Sequence, residues 1–384
     1  MASSIPLPRA CYDEYCATIT KDTIRTTRTV SLADGGVWEY DDTYLEKSEA
    51  EIIMALLPSL EVFLLDIDNF GEKTVARLLD NQSGLGWGCL PILPRMKRLD
   101  IRSQDNDWTI HYTNSVAQAL IKCAPNIETL SLYNIDMRSG LINSIPSLDL
   151  ACDGAARERI DNAKTPISWL RNLRTIDLVD CCLENDELMW LQNMTSDCGG
   201  LERFSLKKKY CGQGLGPELW PCKVLDAISG ASKSLKELNL HIKGTLYTQD
   251  RNAAEHVCGR NQLARLTRLE TLEIHEDAFC RGHSMAYEEE DISDSTIDDW
   301  SCLTRIVPNS VKNLVIWADK YMPSLKDLMH FAEHVLAGHF PSLRHTHVVF
   351  SDYHSIPQDK SAETITVSVN NDDHCEIIGQ SGKQ

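Results

Sequence analysis

Apolar residues recur along the chain in a short fixed frame. In the segment that begins at Leu170 they fall at Leu170, Leu173, Ile176 and Leu178, and Cys181 follows. Side chains alternate between the two faces of an extended strand, so Ile176 and Leu178 point to the same side. The pattern therefore predicts a short strand with one buried face and one polar face.

The same frame occurs nine times between Leu57 and Val348. Internal repetition of this kind, with a Cys at the buried position after the strand, is typical of leucine-rich repeats. The other copies have their apolar positions at Leu57–Leu65; Leu93, Met96, Leu99 and Ile101; Ile127, Leu130 and Leu132; Leu201, Phe204 and Leu206; Leu235, Leu238 and Leu240; Leu266, Leu269, Leu272 and Ile274; Val311, Leu314 and Ile316; and Phe340, Leu343 and Val348.

Helical patterns lie between the strand patterns. In residues 324–337 the apolar residues share one predicted helix face: Leu325, Leu328, Met329, Ala332, Val335 and Leu336. Strand and helix alternating every ~28–46 residues predict an α/β leucine-rich-repeat solenoid, a right-handed αβ horseshoe. Each repeat then buries its apolar faces against its neighbours, so no single repeat folds alone.

The spacing of the repeats predicts the domain organisation. Residues 1–20 form an N-terminal tail, and residues 21–350 form the solenoid, with a possible first strand around Val30. Two insertions interrupt it, near 139–165 and near 283–300, and the second has seven acidic residues within Tyr287–Asp299. Residues 351–384 are predicted to contain a capping strand at Thr364–Val369 and then a disordered tail.

The amino-acid composition argues against two classes of partner, nucleic acids and anionic membranes. The formal net charge is −18, whereas a nucleic-acid-binding protein or one that docks on an anionic membrane relies on clustered Lys and Arg. No apolar run has the length of a signal peptide or a membrane span. The fourteen cysteines mostly sit within apolar patterns, where a thiol packs as a small hydrophobe. We therefore expect an intracellular protein, cytoplasmic or nuclear, with no nucleic-acid or membrane partner.

The repeat style resembles the repeat region of fungal F-box/leucine-rich-repeat proteins. The resemblance rests on the irregular long repeats, the acidic charge and the segments TIRTTRTVSL from Thr23 and EIIMALLPSLEVFLL from Glu51. It covers roughly residues 21–350 and implies that the repeats select a substrate for ubiquitin ligation, with ubiquitin-ligase components as partners. The F-box itself, a longer helical module, is not evident in the short tail before the first strand.

The candidate binding surface is the concave face of the horseshoe. It is formed by the side chains that flank the last core residue of each strand. Aromatic and Arg side chains there are the residues that most often anchor protein partners. The predicted partner-binding residues are Arg102, Tyr133, Asp177, Lys207, His241, Glu273, His275, Trp317 and His347.

Two features of this surface have alternative interpretations. Tyr133 and Trp317 are predicted to be interface anchors, but a shift of the strand register by one residue would bury them instead. His241 and His275 take the same position on adjacent strands, about 4.8 Å apart. That pair is a solvated polar patch, a pH-sensitive contact or an adventitious metal site.

One string has the spacing of an enzyme motif. His330, Glu333 and His334 read H-x-x-E-H, in which two His one helical turn apart hold zinc and the Glu acts as a base. The predicted apolar stripe of this helix turns both His toward solvent, without a cleft, and the candidate third ligands Glu363 and Glu376 lie in the terminal segment. A zinc-dependent hydrolase is therefore the alternative hypothesis. The leading one is a non-catalytic protein-interaction scaffold that needs no cofactor or metal.

Overall fold

The structure is a computed structural model of the full chain. The residues that it describes are 4–6, 29–31, 59–66, 93–102, 120–121, 124–135, 170–181, 183, 188, 191–192, 195, 200–208, 219–242, 260–279, 302–319, 325–351, 363–369 and 375–380. The chain divides into two compact units, Met1–Leu183 with Asp197–Gly200, and Glu184–Ser196 with Leu201–Gln384.

The first unit is a sheet of parallel strands, each hydrogen-bonded to the next in chain order. The described strands are β1 (Ser4–Pro6), β2 (Thr29–Ser31), β3 (Val62–Asp66), β4 (Arg98–Arg102), β5 (Thr129–Tyr133) and β6 (Thr175–Val179). The register pairs equivalent positions of the repeats, so that Leu99 lies beside Leu130 and Leu130 beside Ile176.

The second unit combines parallel strands with helices. Strands β7 (Arg203–Lys208), β8 (Glu237–Ile242), β9 (Thr271–His275), β10 (Asn313–Asp319) and β11 (His345–Ser351) pair in parallel. Strands β12 (Glu363–Val369) and β13 (Cys375–Gln380) follow in antiparallel pairing. Helices α1 (Pro221–Ala227), α2 (Arg260–Leu263), α3 (Cys302–Ile306) and α4 (Leu325–Leu336) contact one another in chain order. Short 3₁₀ helices η1 (Ser229–Ala231) and η2 (Glu276–Ala278) follow α1 and β9.

The described architecture is an α/β fold whose parallel strands follow the repeated apolar frame. Every apolar frame position from Leu60 to Val348 that the structure describes is buried, and Leu99, Leu130, Ile176, Leu238 and Leu272 are at most 1% exposed. Each such side chain contributes roughly 1.5–3 kcal/mol by leaving water. The frame thus forms the core on one side of the strands in both units.

A pair of backbone hydrogen bonds recurs at the entries to β4, β5, β6, β8, β9, β10 and β11. The carbonyl of Glu61 accepts from the amides of Lys97 and Arg98, at 2.8 and 3.0 Å. The carbonyl of Lys97 accepts in turn from the two amides that precede and begin β5. The same doubled acceptor occurs at Glu128, Glu202, Lys236, Glu270 and Lys312. It fixes one register for successive repeats, because the same two amides of each repeat meet one oxygen of the previous repeat.

The turn after the strand is repeated as well in the first unit. Asn134 and Asp180 follow β5 and β6 with φ of 54° and 52°, a left-handed conformation that Asn and Asp tolerate better than most residues. The Asn134 amide donates to the Val179 carbonyl at 2.9 Å, and the Cys181 thiol donates to the Leu132 carbonyl at 3.3 Å. Cys181 is therefore a buried structural thiol that ties its turn to the neighbouring repeat.

Helix α4 is rotated about its own axis relative to the orientation that its apolar residues predict. Asp327 and Phe331 are 1% and 2% exposed, whereas Met329 and Leu336, predicted to be buried, are 60% and 66% exposed. Two contacts explain the rotation: the Leu303 amide donates to the Asp327 carboxylate at 3.3 Å, and the Phe331 ring packs on Phe340, with centroids 4.9 Å apart. The stripe prediction was wrong because it placed only apolar residues on the buried face of the helix, whereas Asp327 is buried as well.

Several predicted segments lie outside the described residues. They include the two insertions at 139–165 and 283–300 and most of the possible first strand, of which Thr29–Ser31 is described. Within the terminal segment, β12 covers the predicted capping strand, and β13 occupies part of the region for which the sequence predicted disorder.

Cys181 should resist alkylation in the native protein. Burial raises the pKa of its thiol to about 12, so about one thiol in ten thousand is ionised at pH 8. We expect iodoacetamide to label Cys181 at least ~1,000-fold more slowly than a free thiol, and at the ordinary rate in denaturant. Mass spectrometry of the peptide measures this rate. Cys222, which is 8% rather than 1% exposed, serves as the internal comparison; native labelling of Cys181 at the rate of glutathione would contradict the assignment.

Candidate functional site

The polar face of the first unit contains an ion pair between a buried carboxylate and an exposed guanidinium. Asp100 on β4 is fully buried, and Arg98 on the same strand donates to both of its carboxylate oxygens, at 2.7 to 3.1 Å. This bond raises the pKa of the Arg98 guanidinium above its ordinary value. The positive charge of Arg98 thereby compensates the negative charge of Asp100, and the Arg98 side chain is held along its own strand.

Arg102, Tyr133 and Asp177 form a second group on this face, across β4, β5 and β6. The Arg102 guanidinium carbon lies 4.6 Å from the centre of the Tyr133 ring, which is cation–π geometry. The Tyr133 hydroxyl donates to the Asp177 carboxylate at 3.3 Å. Arg102 is exposed, and the other two side chains are half-buried.

Burial raises the pKa of the Tyr133 hydroxyl, and the negative charges of Asp177 and Asp100 raise it further, whereas Arg102 lowers it. The phenol is therefore a neutral donor at physiological pH. The Arg102 cation stacks on the Tyr133 ring, and the Asp177 carboxylate fixes the Tyr133 hydroxyl. Together these groups form a rigid patch with both apolar and polar contact surface.

The second unit also has a diagonal aromatic–carboxylate pair. The Trp317 indole N–H on β10 donates to the Glu273 carboxylate on β9 at 2.8 Å. Trp317 lies beside His275 in the register, so the acceptor is two residues earlier on the preceding strand. In the first unit Tyr133 lies beside Val179 and reaches Asp177, which is also two residues earlier but on the following strand.

His241 and His275 pack against each other and with Trp317. The His241 ring centroid lies 4.8 Å from that of His275 and 5.4 Å from that of Trp317, both edge-on. His241 is 5% exposed and His275 is fully buried. The interpretation of the two His as a solvated patch is therefore wrong for these side chains, which form part of a packed aromatic cluster.

The predicted binding residues differ in exposure. Arg102 is exposed; Tyr133, Asp177, Lys207, Glu273 and His347 are half-buried; His241, His275 and Trp317 are buried. Trp317 does face the polar side of its strand, so the register is not shifted, yet it is covered. Its ring packs against the His241 ring, and its indole N–H is bonded to Glu273. Trp317 therefore cannot serve as an exposed anchor.

Sequence reasoning missed the charge ladder at the strand entries. Lys236 pairs with Glu202 at 2.9 Å, and Lys312 with Glu270 at 3.1 Å. These are the residues whose carbonyls accept the doubled backbone bonds, so the fold brings them into line. The signal was present as alternating acidic and basic residues directly before successive strands.

The H-x-x-E-H string lies on α4. His330 and His334 are half-buried rather than fully turned to solvent, and Glu333 is exposed. Among the described residues, no group of three or more His, Cys, Asp or Glu side chains has the spacing to hold a metal ion. The side chains of Glu363 and Glu376 lie outside what the structure describes.

No protein-family model matches the chain, and no curated protein shows significant similarity to it. Among the described helices, none is long and apolar enough to cross a membrane.

Replacement of Trp317 should destabilise the second unit. Trp317→Ala removes a buried ring and leaves Glu273 without its indole donor, so we expect a loss of about 3–5 kcal/mol in the free energy of unfolding. Trp317→Phe keeps most of the apolar contact and should cost about 1–2 kcal/mol. Chemical denaturation monitored by circular dichroism measures both. A Trp317→Ala protein as stable as the wild type would show that the ring is not part of the core.

Proposed function

We propose that this chain is a non-catalytic protein-interaction scaffold of the leucine-rich-repeat type. Its repeats would continue into one right-handed αβ horseshoe, and its polar strand face would bind a protein partner. The observation that carries the proposal is the Arg102–Tyr133–Asp177 group, in which an aromatic residue stays half-exposed on a strand face that the core does not need.

Three properties of this group fit an interface anchor. Tyr and Arg are the side chains most enriched among residues that dominate binding energy. The ring and the guanidinium are already stacked, and the hydroxyl is already bonded, so little side-chain freedom remains to be lost on binding. Asp100 and Arg98 pair with each other on the same strand as Arg102, so the neighbouring charges need no partner group.

The remaining polar positions support a recognition surface rather than a reaction centre. On the described part of the face, the carboxylates of Asp100, Asp177 and Glu273 are each bonded to a side chain of the same face. A general base or a nucleophile would need a carboxylate or thiol that can reach a substrate. Cys181 is buried, and the raised pKa of its thiol keeps it protonated.

The resemblance to F-box/leucine-rich-repeat proteins supplies a more specific role. Within the scaffold proposal, the bound protein is a substrate selected for ubiquitin ligation. This role is supported by the repeat style, and the Arg102–Tyr133–Asp177 group is the surface that we propose for substrate binding.

Variants of the polar face test the scaffold proposal. Affinity capture with the full chain, quantified by mass spectrometry, should yield proteins whose recovery falls at least ~30-fold with Tyr133→Ala and with Arg102→Ala, the scale of a binding hot spot. Arg171→Ala is the matched control, because Arg171 is also an exposed arginine of the first unit but lies in a turn. The affinity of one recovered protein is then measured with purified components. Equal binding by the Tyr133→Ala and Arg171→Ala proteins would disprove the proposal for this face.

The ubiquitin-ligase role is tested separately. Capture from a fungal lysate should recover cullin-ligase subunits together with the substrate, and Tyr133→Ala should release the substrate while the ligase subunits remain. Their absence from a capture that does recover a Tyr133-dependent partner would reject this role and leave the scaffold proposal standing.

A further inference from the structure

Two histidines on α4 are held side by side. His330 and His334 are one helical turn apart, and their ring centroids are separated by 4.4 Å. Nδ1 of His334 lies 3.1 Å from the backbone carbonyl oxygen of His330. Both residues are half-buried.

The hydrogen bonds select which nitrogen of each ring is available. Since a carbonyl oxygen can only accept, Nδ1 of His334 carries the proton, and Nε2 has a free electron pair. Nδ1 of His330 is buried and makes no hydrogen bond within the described part of the chain. Nε2 is therefore the nitrogen of His330 that can meet an ion from solvent.

The ring separation is close to that of two ligands on one metal ion. Zinc–nitrogen bonds of about 2.0–2.1 Å place each ring centroid about 3.2 Å from the ion. Bond angles between about 90° and 110° then put the two centroids about 4.5–5.2 Å apart. The observed 4.4 Å requires only a small opening of the pair.

We propose that His330 and His334 form a two-histidine binding site, through their Nε2 atoms, for a borderline divalent cation of the zinc class. Imidazole suits zinc, copper and nickel better than magnesium or calcium. The Nδ1–H···O=C bond of His334 is the orienting contact that metal-bound His usually has. The exposed carboxylate of Glu333 adds negative charge on the same turn.

The site is exchangeable and non-catalytic in this proposal. The His339 ring lies 5.0 Å from that of His334, but no described group of three potential ligands has the spacing to hold an ion. Water therefore completes the coordination. Binding links two successive turns of α4, so it stabilises the folded protein by an amount that rises with the logarithm of the zinc concentration above the Kd. The proposal does not depend on the scaffold function.

Chemical footprinting tests the site in the unmodified full-length protein. Diethyl pyrocarbonate acylates neutral imidazole nitrogens, and mass spectrometry reads the rate at each histidine. Saturating ZnCl₂ should slow the modification of both His330 and His334 at least ~5-fold, because their Nε2 atoms are coordinated. His345, which is exposed on β11, should react at an unchanged rate. Equal rates at His330 and His334 with and without zinc would overturn the proposal.

Variants separate this pair from the other potential ligands of the chain, which include fourteen cysteines. The zinc-dependent rise in melting temperature should need at least ~10-fold more zinc in His334→Ala, since one imidazole alone lacks the chelate advantage. His330→Gln provides a second variant in case His334→Ala unfolds, and His345→Ala is the matched control. A zinc response in His334→Ala and His330→Gln that equals that of His345→Ala would show that zinc binds elsewhere.

Discussion

The doubled backbone hydrogen bond, which recurs at the entries to seven of the described parallel strands, is the constraint on which the rest of the structure depends. One carbonyl, such as that of Lys97 or Lys236, receives two amides of the next repeat. The bond allows a single register, and a slip of one residue would turn every leucine of a strand to the polar side. Equivalent positions of neighbouring repeats therefore fall into rows. The apolar rows bury one another, which no isolated strand could do.

The same register that builds the core also arranges the polar face. It brings Tyr133 to Asp177 and Trp317 to Glu273 by diagonal steps, and it lines up the alternating charges before the strands. The partly exposed Lys–Glu pairs before the strands contribute little stability. Their effect is geometric, because they hold long side chains in one arrangement. Asp100 is the exception, since a fully buried carboxylate would be costly without Arg98.

Much of the fold could be predicted from the sequence, because the repeated apolar frame reports the buried face of each strand directly. Leu99, Leu238 and Leu272 are buried as their positions predict. The candidate site was predictable only in part. Alternation predicted the side of the strand on which Trp317 lies. It did not predict that Trp317 packs against His241 of β8 and is buried. The rotation of α4 was not predictable from periodicity, because the buried Asp327 is stabilised by the amide of Leu303 on a different helix.

The burial of Trp317 and the rotation of α4 indicate which residues are candidates for a function. Tyr133 and Trp317 both lie on the polar side of their strands. Trp317 is buried with His241 and His275, whereas Tyr133 is not buried. Trp317 is thus accounted for by packing, whereas the half-exposed Tyr133 with Arg102 above it is not required by the core. On α4, the contacts that bury Asp327 and Phe331 place His330 and His334 at the edge of the packed side of the helix. Their position there follows from the rotation of the helix, so the cation site that we propose depends on the same packing that contradicts the apolar-stripe prediction.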